Sequence, residues 1–257
     1  MPLKVLPVLI RAVALVILGL PLACTRSTPD HGTGSGGDGL LSVPQGLSNT
    51  NVDGEDVGLT LVAFTLVQGT TGPKLYAAVR NDGDTPACQA GMTTYFYDKT
   101  DQVVTSAGSV LHSGRLYRMD DGTIISCVDP GQVAMAASTD LLATMTIDQL
   151  AYLKHLFPAF TLSGIVPMPG LSVGDVQTIA TGAGTVYAGK IINGLEVTVT
   201  APAITVFPVN RVGRPLGLAT SSAASDLPPG GRWTFTTSSV DAPGVGYVAY
   251  PSASLPN

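Results

Sequence analysis

The chain has 257 residues, enough for one large domain or two of ordinary size. Hydrophobic residues make up 45% of the chain and charged residues only 12%, a composition that excludes a disordered acidic tail and a basic nucleic-acid binder. The formal net charge of −5 also disfavours binding to nucleic acid, so we expect no nucleic-acid partner.

The first 23 residues predict a signal peptide. Lys4 and Arg11 precede an uncharged apolar run over residues 12–22, which suits a secretion signal and is short for a membrane span. The run ends in Pro21-Leu22-Ala23-Cys24, which resembles the lipobox of bacterial lipoproteins, with Pro21 departing from the pattern. The resemblance implies cleavage before Cys24 and lipidation of that cysteine, for example with palmitate. An ordinary secretory signal and an uncleaved N-terminal anchor are the alternatives.

Two further cysteines, Cys88 and Cys127, remain if Cys24 carries lipid. Exported proteins seldom keep free buried thiols, so we expect a disulfide between the two. Two free buried thiols are the alternative. Neither a C-x-x-C spacing nor a nearby histidine cluster is present, so no metal site is predicted here.

Residues 24–56 are rich in Gly, Ser, Asp and Asn and predict a flexible tether. Within it, residues 32–37 (GTGSGG) satisfy a phosphate-loop pattern, but no predicted strand or helix flanks them, so we reject that interpretation. Residues 49–54 (NTNVDG) imitate the start of a calcium loop, but Thr60 stands where a bidentate glutamate is required.

Beyond the tether, short runs of alternating apolar and polar residues are separated by turn signals, which is typical of an antiparallel β-sandwich. Residues 74–81 and 92–98 are two such strands, and the Asn-Asp-Gly-Asp segment at 81–84 predicts a turn between them.

The pattern then recurs, which predicts a tandem duplication. The expected matches are Leu75-Tyr76-Ala77-Ala78 with Val186-Tyr187-Ala188-Gly189, Asn81 with Asn193, Phe96 with Phe207, and Pro130-Gly131 with Pro229-Gly230. The first copy carries an extra stretch near residues 112–127. We therefore expect two β-sandwich domains, over residues 57–168 and 169–257. The alternative is that any two sandwiches share such turns.

One short helix is predicted near residues 147–157. Thr146 and Gln149 form a T-x-x-Q capping box, and apolar residues follow helical spacing at positions 147, 150, 153 and 157. Pro158 then ends the run.

The Asn-Asp-Gly-Asp turn, the Phe-Tyr-Asp strand ending and the later Pro-Gly resemble the FxLYD-type, immunoglobulin-like domains of bacterial envelope proteins. The FxLYD position reads Thr94-Tyr95-Phe96-Tyr97-Asp98, and the second copy at 205–209 lacks the Tyr-Asp. The resemblance implies an all-β fold of two tandem immunoglobulin-like β-sandwiches that act as binding or spacer modules. It implies no catalytic residue and no particular ligand.

Candidates for enzyme chemistry are few. Of the three histidines, His31 lies in the tether, and His112, beside Ser113, is expected to be a partly exposed loop residue. We expect His155 to be a solvated position on the helix. Residues 170–174 (GLSVG) match the letters of a G-x-S-x-G motif, but no strand-to-helix elbow is predicted around this serine. No carboxylate pair suits a glycosidase, because most aspartates stand in turn sequences.

Two further candidates are for binding. His112, Met119 and Met135 carry the imidazole and thioether groups that copper prefers, and core or loop methionines are the alternative. Trp233 follows a Pro-Pro-Gly-Gly turn, and we expect it to anchor the core rather than to stack on a carbohydrate.

Together these features predict a non-catalytic lipoprotein of the bacterial cell envelope, with no cofactor, that serves binding, adhesion or assembly. The lipid on Cys24 would anchor it to the membrane, facing the periplasm or the cell surface, with an envelope protein or polysaccharide as partner. An exported hydrolase and a periplasmic copper or calcium binding protein are the alternatives.

Overall fold

The fold is taken from a computed structural model, which describes residues 48–51, 58–69, 72–139, 146–162, 164–241 and 244–255. The expected signal peptide, Cys24 and most of the expected tether lie outside these residues. Within the described ranges the chain forms strands and one short 3-10 turn but no α-helix, so the prediction of an all-β protein is confirmed. None of the described residues forms a helix of the length and apolarity that crossing a membrane requires.

The strands are β1 (Ser48–Asn51), β2 (Leu59–Gly69), β3 (Gly72–Asn81), β4 (Ala87–Cys88), β5 (Gly91–Asp98), β6 (Val103–Val110), β7 (Arg115–Arg118), β8 (Ile124–Val128), β9 (Val133–Ser138), β10 (Leu150–Leu156), β11 (Phe160–Thr161), β12 (Val166–Met168), β13 (Leu171–Thr181), β14 (Gly184–Asn193), β15 (Thr200–Val209), β16 (Ala219–Ser222), β17 (Arg232–Thr236) and β18 (Gly246–Ser254).

The first half of the described chain places two sheets around one apolar core. One sheet has the strand order β2-β3-β9, and the other has the order β1-β10-β5-β6. Leu75, Ala77 and Val79 of β3 point to the same face, because side chains of a strand alternate between its two faces. All three are fully buried. They share the first core with Met92 and Phe96 of β5.

The second half repeats this arrangement with sheets of order β13-β14-β17 and β16-β15-β18. Tyr187 and Ile191 of β14 and Phe235 of β17 share a second core with Ile204 and Val206 of β15. Each half therefore buries the inner faces of its own two sheets.

The hairpins β2-β3 and β13-β14 have the same length and register. Their end pairs correspond one to one: Leu59–Asn81 with Leu171–Asn193, and Gly69–Gly72 with Thr181–Gly184. The third strands, β9 and β17, pair antiparallel with β3 and β14 respectively. The first half is the longer one, because hairpin β7-β8 is inserted between β6 and β9.

This correspondence corrects two of the residue matches expected from the sequence. Counting back from Asn81 and Asn193, Tyr187 occupies the position of Leu75 rather than that of Tyr76. Phe207 points away from the second core, whereas Phe96 lies inside the first core. Both matches are wrong because a shift of one residue moves a strand side chain to the opposite face of its sheet.

An apolar cluster joins the two halves. Ala78 and Met135 from the first half pack with Phe207 and Tyr250 from the second half. The Tyr250 hydroxyl donates a hydrogen bond to the carbonyl oxygen of Val133 at 3.2 Å.

The predicted helix near residues 147–157 is wrong. Ile147–Gln149 is a 3-10 turn, and strand β10 follows it directly. The predicted capping box of Thr146 and Gln149 is nevertheless present, and Gln149 Oε1 accepts a hydrogen bond from the backbone N–H of Thr146 at 3.0 Å.

A β-bulge explains why this strand has the apolar spacing of a helix. Leu150 pairs with Asp98 while Tyr152 pairs with Tyr97, so β10 carries one extra residue at this point. The extra residue interrupts the alternation of faces, and Leu150 and Leu153 both become buried although they are three positions apart.

Candidate functional site

The predicted disulfide between Cys88 and Cys127 is confirmed. The two residues are direct partners on strands β4 and β8, and both are buried. They form a small apolar cluster with Tyr117 and Ile125. Cys24, the predicted lipidation site, lies outside the described residues.

A buried asparagine holds the turn that follows β3. The side-chain Nδ2 of Asn81 donates to the carbonyl oxygens of Thr85 and Val128, each at 2.8 Å. Its Oδ1 accepts from the backbone N–H of Gly83 at 2.9 Å. Both amide donors are therefore used, and the side chain joins the turn to the end of β8.

Asn193 does the same in the second half. Its Nδ2 donates to the carbonyl oxygens of Val197 and Leu227 at 2.8 and 2.9 Å, and its Oδ1 accepts from the N–H of Leu195 at 2.9 Å. In both halves the partners lie two and four residues beyond the asparagine, with a third partner far along the chain. The sequence marked these asparagines as turn residues but did not indicate that their side chains are buried.

A shallow polar groove of about 420 Å³ lies beside the Asn81 turn. Its lining consists of Gly58, Thr60, Asp82, Gly83, Asp84, Thr85 and Thr161. Asp82 is already paired with Arg80 through two hydrogen bonds, and the Arg80 bond holds the pKa of Asp82 below its usual value. In the described part of the chain, no three His, Cys, Asp or Glu residues are grouped so as to hold a metal ion.

His155 is fully buried, and the prediction of a solvated residue is therefore wrong. It lies on strand β10 rather than on a helix, and its Nδ1 shares a 2.9 Å hydrogen bond with the hydroxyl of Thr94. Its Nε2 is buried and has no hydrogen-bond partner in the described structure. Phe64 and Phe157 are the neighbouring rings. Burial lowers the pKa of His155 to about 4, so the ring is neutral at pH 7.

His112 is half-buried beside the cluster that joins the two halves. Its ring centroid lies 5.8 Å from that of Phe207 and 6.1 Å from that of Tyr250. Burial lowers the pKa of His112. The neighbouring Ser113 accepts a long 3.5 Å bond from the N–H of Arg115. The rings of Phe207 and Tyr250 thus form part of the described surroundings of His112.

Of the three residues weighed as copper ligands, His112 and Met135 are neighbours, and Met119 belongs to another cluster. His112 and Met135 are joined through backbone hydrogen bonds, at 2.8 and 3.1 Å. Met135 packs between the halves, whereas Met119 packs against the disulfide cluster. Trp233 is half-buried against the second core, with its ring 6.0 Å from that of Phe235, as expected of a core anchor.

Aspartates at two turns have the structural role expected of them. Asp98 Oδ1 accepts from the backbone N–H groups of Thr100 and Gln102, and Asp121 Oδ1 accepts from the N–H of Thr123. These backbone bonds stabilise the ionised carboxylates and lower the pKa of each.

No family model and no curated protein matches the chain. One similar solved structure is the crystal structure of red sea bream transglutaminase, at 12% identity and a TM-score of 0.24. The match covers 76% of this chain but only 29% of the transglutaminase chain.

Proposed function

We propose that the protein is a non-catalytic lipoprotein of the bacterial cell envelope, anchored by lipid on Cys24. In this proposal two immunoglobulin-like sandwiches, over residues 57–168 and 169–257, form a module for binding, adhesion or assembly. Its partner is an envelope protein or polysaccharide.

One observation carries the proposal of tandem modules, namely that the same sheet and the same asparagine-held turn occur twice. The hairpins β2-β3 and β13-β14 share their register, and Asn81 and Asn193 make the same three kinds of bond. Two facing sheets in each half, antiparallel except for the pairing of β1 with β10, support the proposal of immunoglobulin-like domains.

The buried polar groups favour a structural role over catalysis. Asn81 and Asn193 direct their side chains to backbone groups. His155 is bonded to the hydroxyl of Thr94, and its ring lies beside phenylalanine rings. A histidine that acts as a general base needs a hydrogen bond to the group it activates, and a third group usually orients it. Neither His112 nor His155 has a carboxylate among its described hydrogen-bond partners.

The anchor is tested by producing the full 257-residue chain in a bacterium supplied with labelled palmitate. We expect the wild type to take up label and to sediment with membranes, because thioether-linked lipid on Cys24 requires that thiol. The Cys24→Ala variant should lose both properties. The matched control is a Cys88→Ala/Cys127→Ala double variant, which should still be labelled. Label on the Cys24→Ala variant, or its absence from the wild type, would contradict the proposal.

A further inference from the structure

The disulfide lies in a third sheet, distinct from the two facing sheets of each half. This five-stranded sheet has the order β11-β4-β8-β7-β12. Its three central strands come from the first half: β4 after β3, and the inserted hairpin β7-β8. Its two outer strands, β11 and β12, come from residues 157–170, which join the two halves. The connecting segment is therefore incorporated into a sheet of the first half.

The disulfide crosslinks the strands that hold the beginning of this segment. Cys88 of β4 is opposite Cys127 of β8 on one side and opposite Phe160 of β11 on the other. Leu162 and Ile165 of the connecting segment pack against the cluster that contains the two cysteines. The strands β4 and β11 have only two residues each, so their backbone pairing alone is a weak support.

The same hairpin contacts the second half directly. Leu116 of β7 pairs with Met168 of β12, and both side chains pack against the second core. Leu116 thus lies next to the second sandwich. Cys127 of the adjacent strand β8 is bonded to Cys88 of β4 in the first half. The hairpin connects the two halves by a route separate from the cluster of Met135, Phe207 and Tyr250.

We propose that the Cys88–Cys127 disulfide is a clamp that fixes the second sandwich relative to the first, by holding hairpin β7-β8 and the connecting segment in one sheet. The inference does not depend on lipidation or on the partner. Without the bond, the two-residue strands separate and the connecting segment becomes mobile. The halves then stay joined through the apolar cluster around Met135 and the bond from Tyr250 to Val133. We expect each sandwich core to remain, because the cysteines themselves belong to neither core, although the adjacent Ala87 and Val128 belong to the first.

The test is hydrogen exchange, followed by mass spectrometry of peptides, on the protein purified from whichever cell fraction carries it. In the Cys88→Ala/Cys127→Ala variant we expect backbone amides of β8, β11 and β12 to exchange at least tenfold faster than in the wild type. Amides of β14 and β15 should change less than twofold. Arg118→Ala is the matched control, since Arg118 is exposed on the same hairpin, and it should leave all these rates within twofold.

Two results would overturn the clamp. One is exchange in β11 and β12 that stays within twofold of the wild type when both cysteines are absent. The other is an equal acceleration in β14 and β15, which would show that the bond supports the whole fold rather than the connection. Small-angle X-ray scattering on the same samples measures the maximum dimension of the molecule. We expect a larger maximum dimension for the double variant only.

Discussion

Replacing Asn81 by alanine should destabilise the protein by about 3 kcal/mol. The change removes three hydrogen bonds, to Thr85, Val128 and Gly83, and each is worth about 1 kcal/mol net. The Val128 carbonyl is the costliest loss, because it belongs to a buried residue. Asn193→Ala should cost a similar amount, since it removes the same three kinds of bond in the second half.

The measurement is the free energy of unfolding from urea denaturation of the processed protein, followed by circular dichroism. The matched control is Asn210→Ala, which removes only two exposed bonds to the N–H groups of Val212 and Arg214 and should cost about 1 kcal/mol or less. If Asn81→Ala and Asn193→Ala both cost less than the control, the side chains do not hold the turns and the structural repeat loses its main support.

Two further predictions concern buried rings. His155 has a folded pKa of about 4, below its ordinary 6.5, so as pH falls from 7 to 5 the unfolded chain binds a proton that the folded core excludes. Between pH 7 and pH 5 the free energy of unfolding of the wild type should fall by about 2 kcal/mol more than that of His155→Gln. Urea midpoints that fall equally in the two proteins would contradict this. Tyr250→Phe should cost about 1 kcal/mol by removing the bond to Val133, measured by the same denaturation, and an unchanged midpoint would show that the bond contributes nothing.

The sequence predicted the all-β class and the asparagine turns because these depend on local signals. The alternation of side-chain character in residues 74–81 indicates the two faces of a strand, and Asn-Asp-Gly indicates a turn. The pairing of Cys88 with Cys127 followed from cysteine number and the expected compartment.

The errors came from effects that only the assembled sheets determine. The bulge at Leu150 gave a strand the apolar spacing of a helix, and the error placed His155 in solvent rather than in the core. The match of Tyr76 with Tyr187 was wrong by one position. Tyr187 lies at a core position of the second half, whereas Tyr76 lies on the opposite face of its strand in the first half.

Other features were missed because they involve residues that are distant in the chain. The bond from Tyr250 to Val133 joins residues from different halves of the molecule. The pairing of β11 and β12 with the inserted hairpin likewise leaves no local pattern, since strands of two or three residues carry no clear alternation.

The central claim is that the protein is exported and lipidated, and the mass of the processed chain tests it most directly. The full 257-residue chain would be produced in a bacterium, purified, and analysed intact and as non-reduced peptides. We predict a chain that begins at Cys24, carries a diacylglyceryl group on that residue, and contains one peptide pair linked through Cys88 and Cys127. A chain that retains Met1, with Cys24 unmodified and all three thiols reduced, would contradict the account.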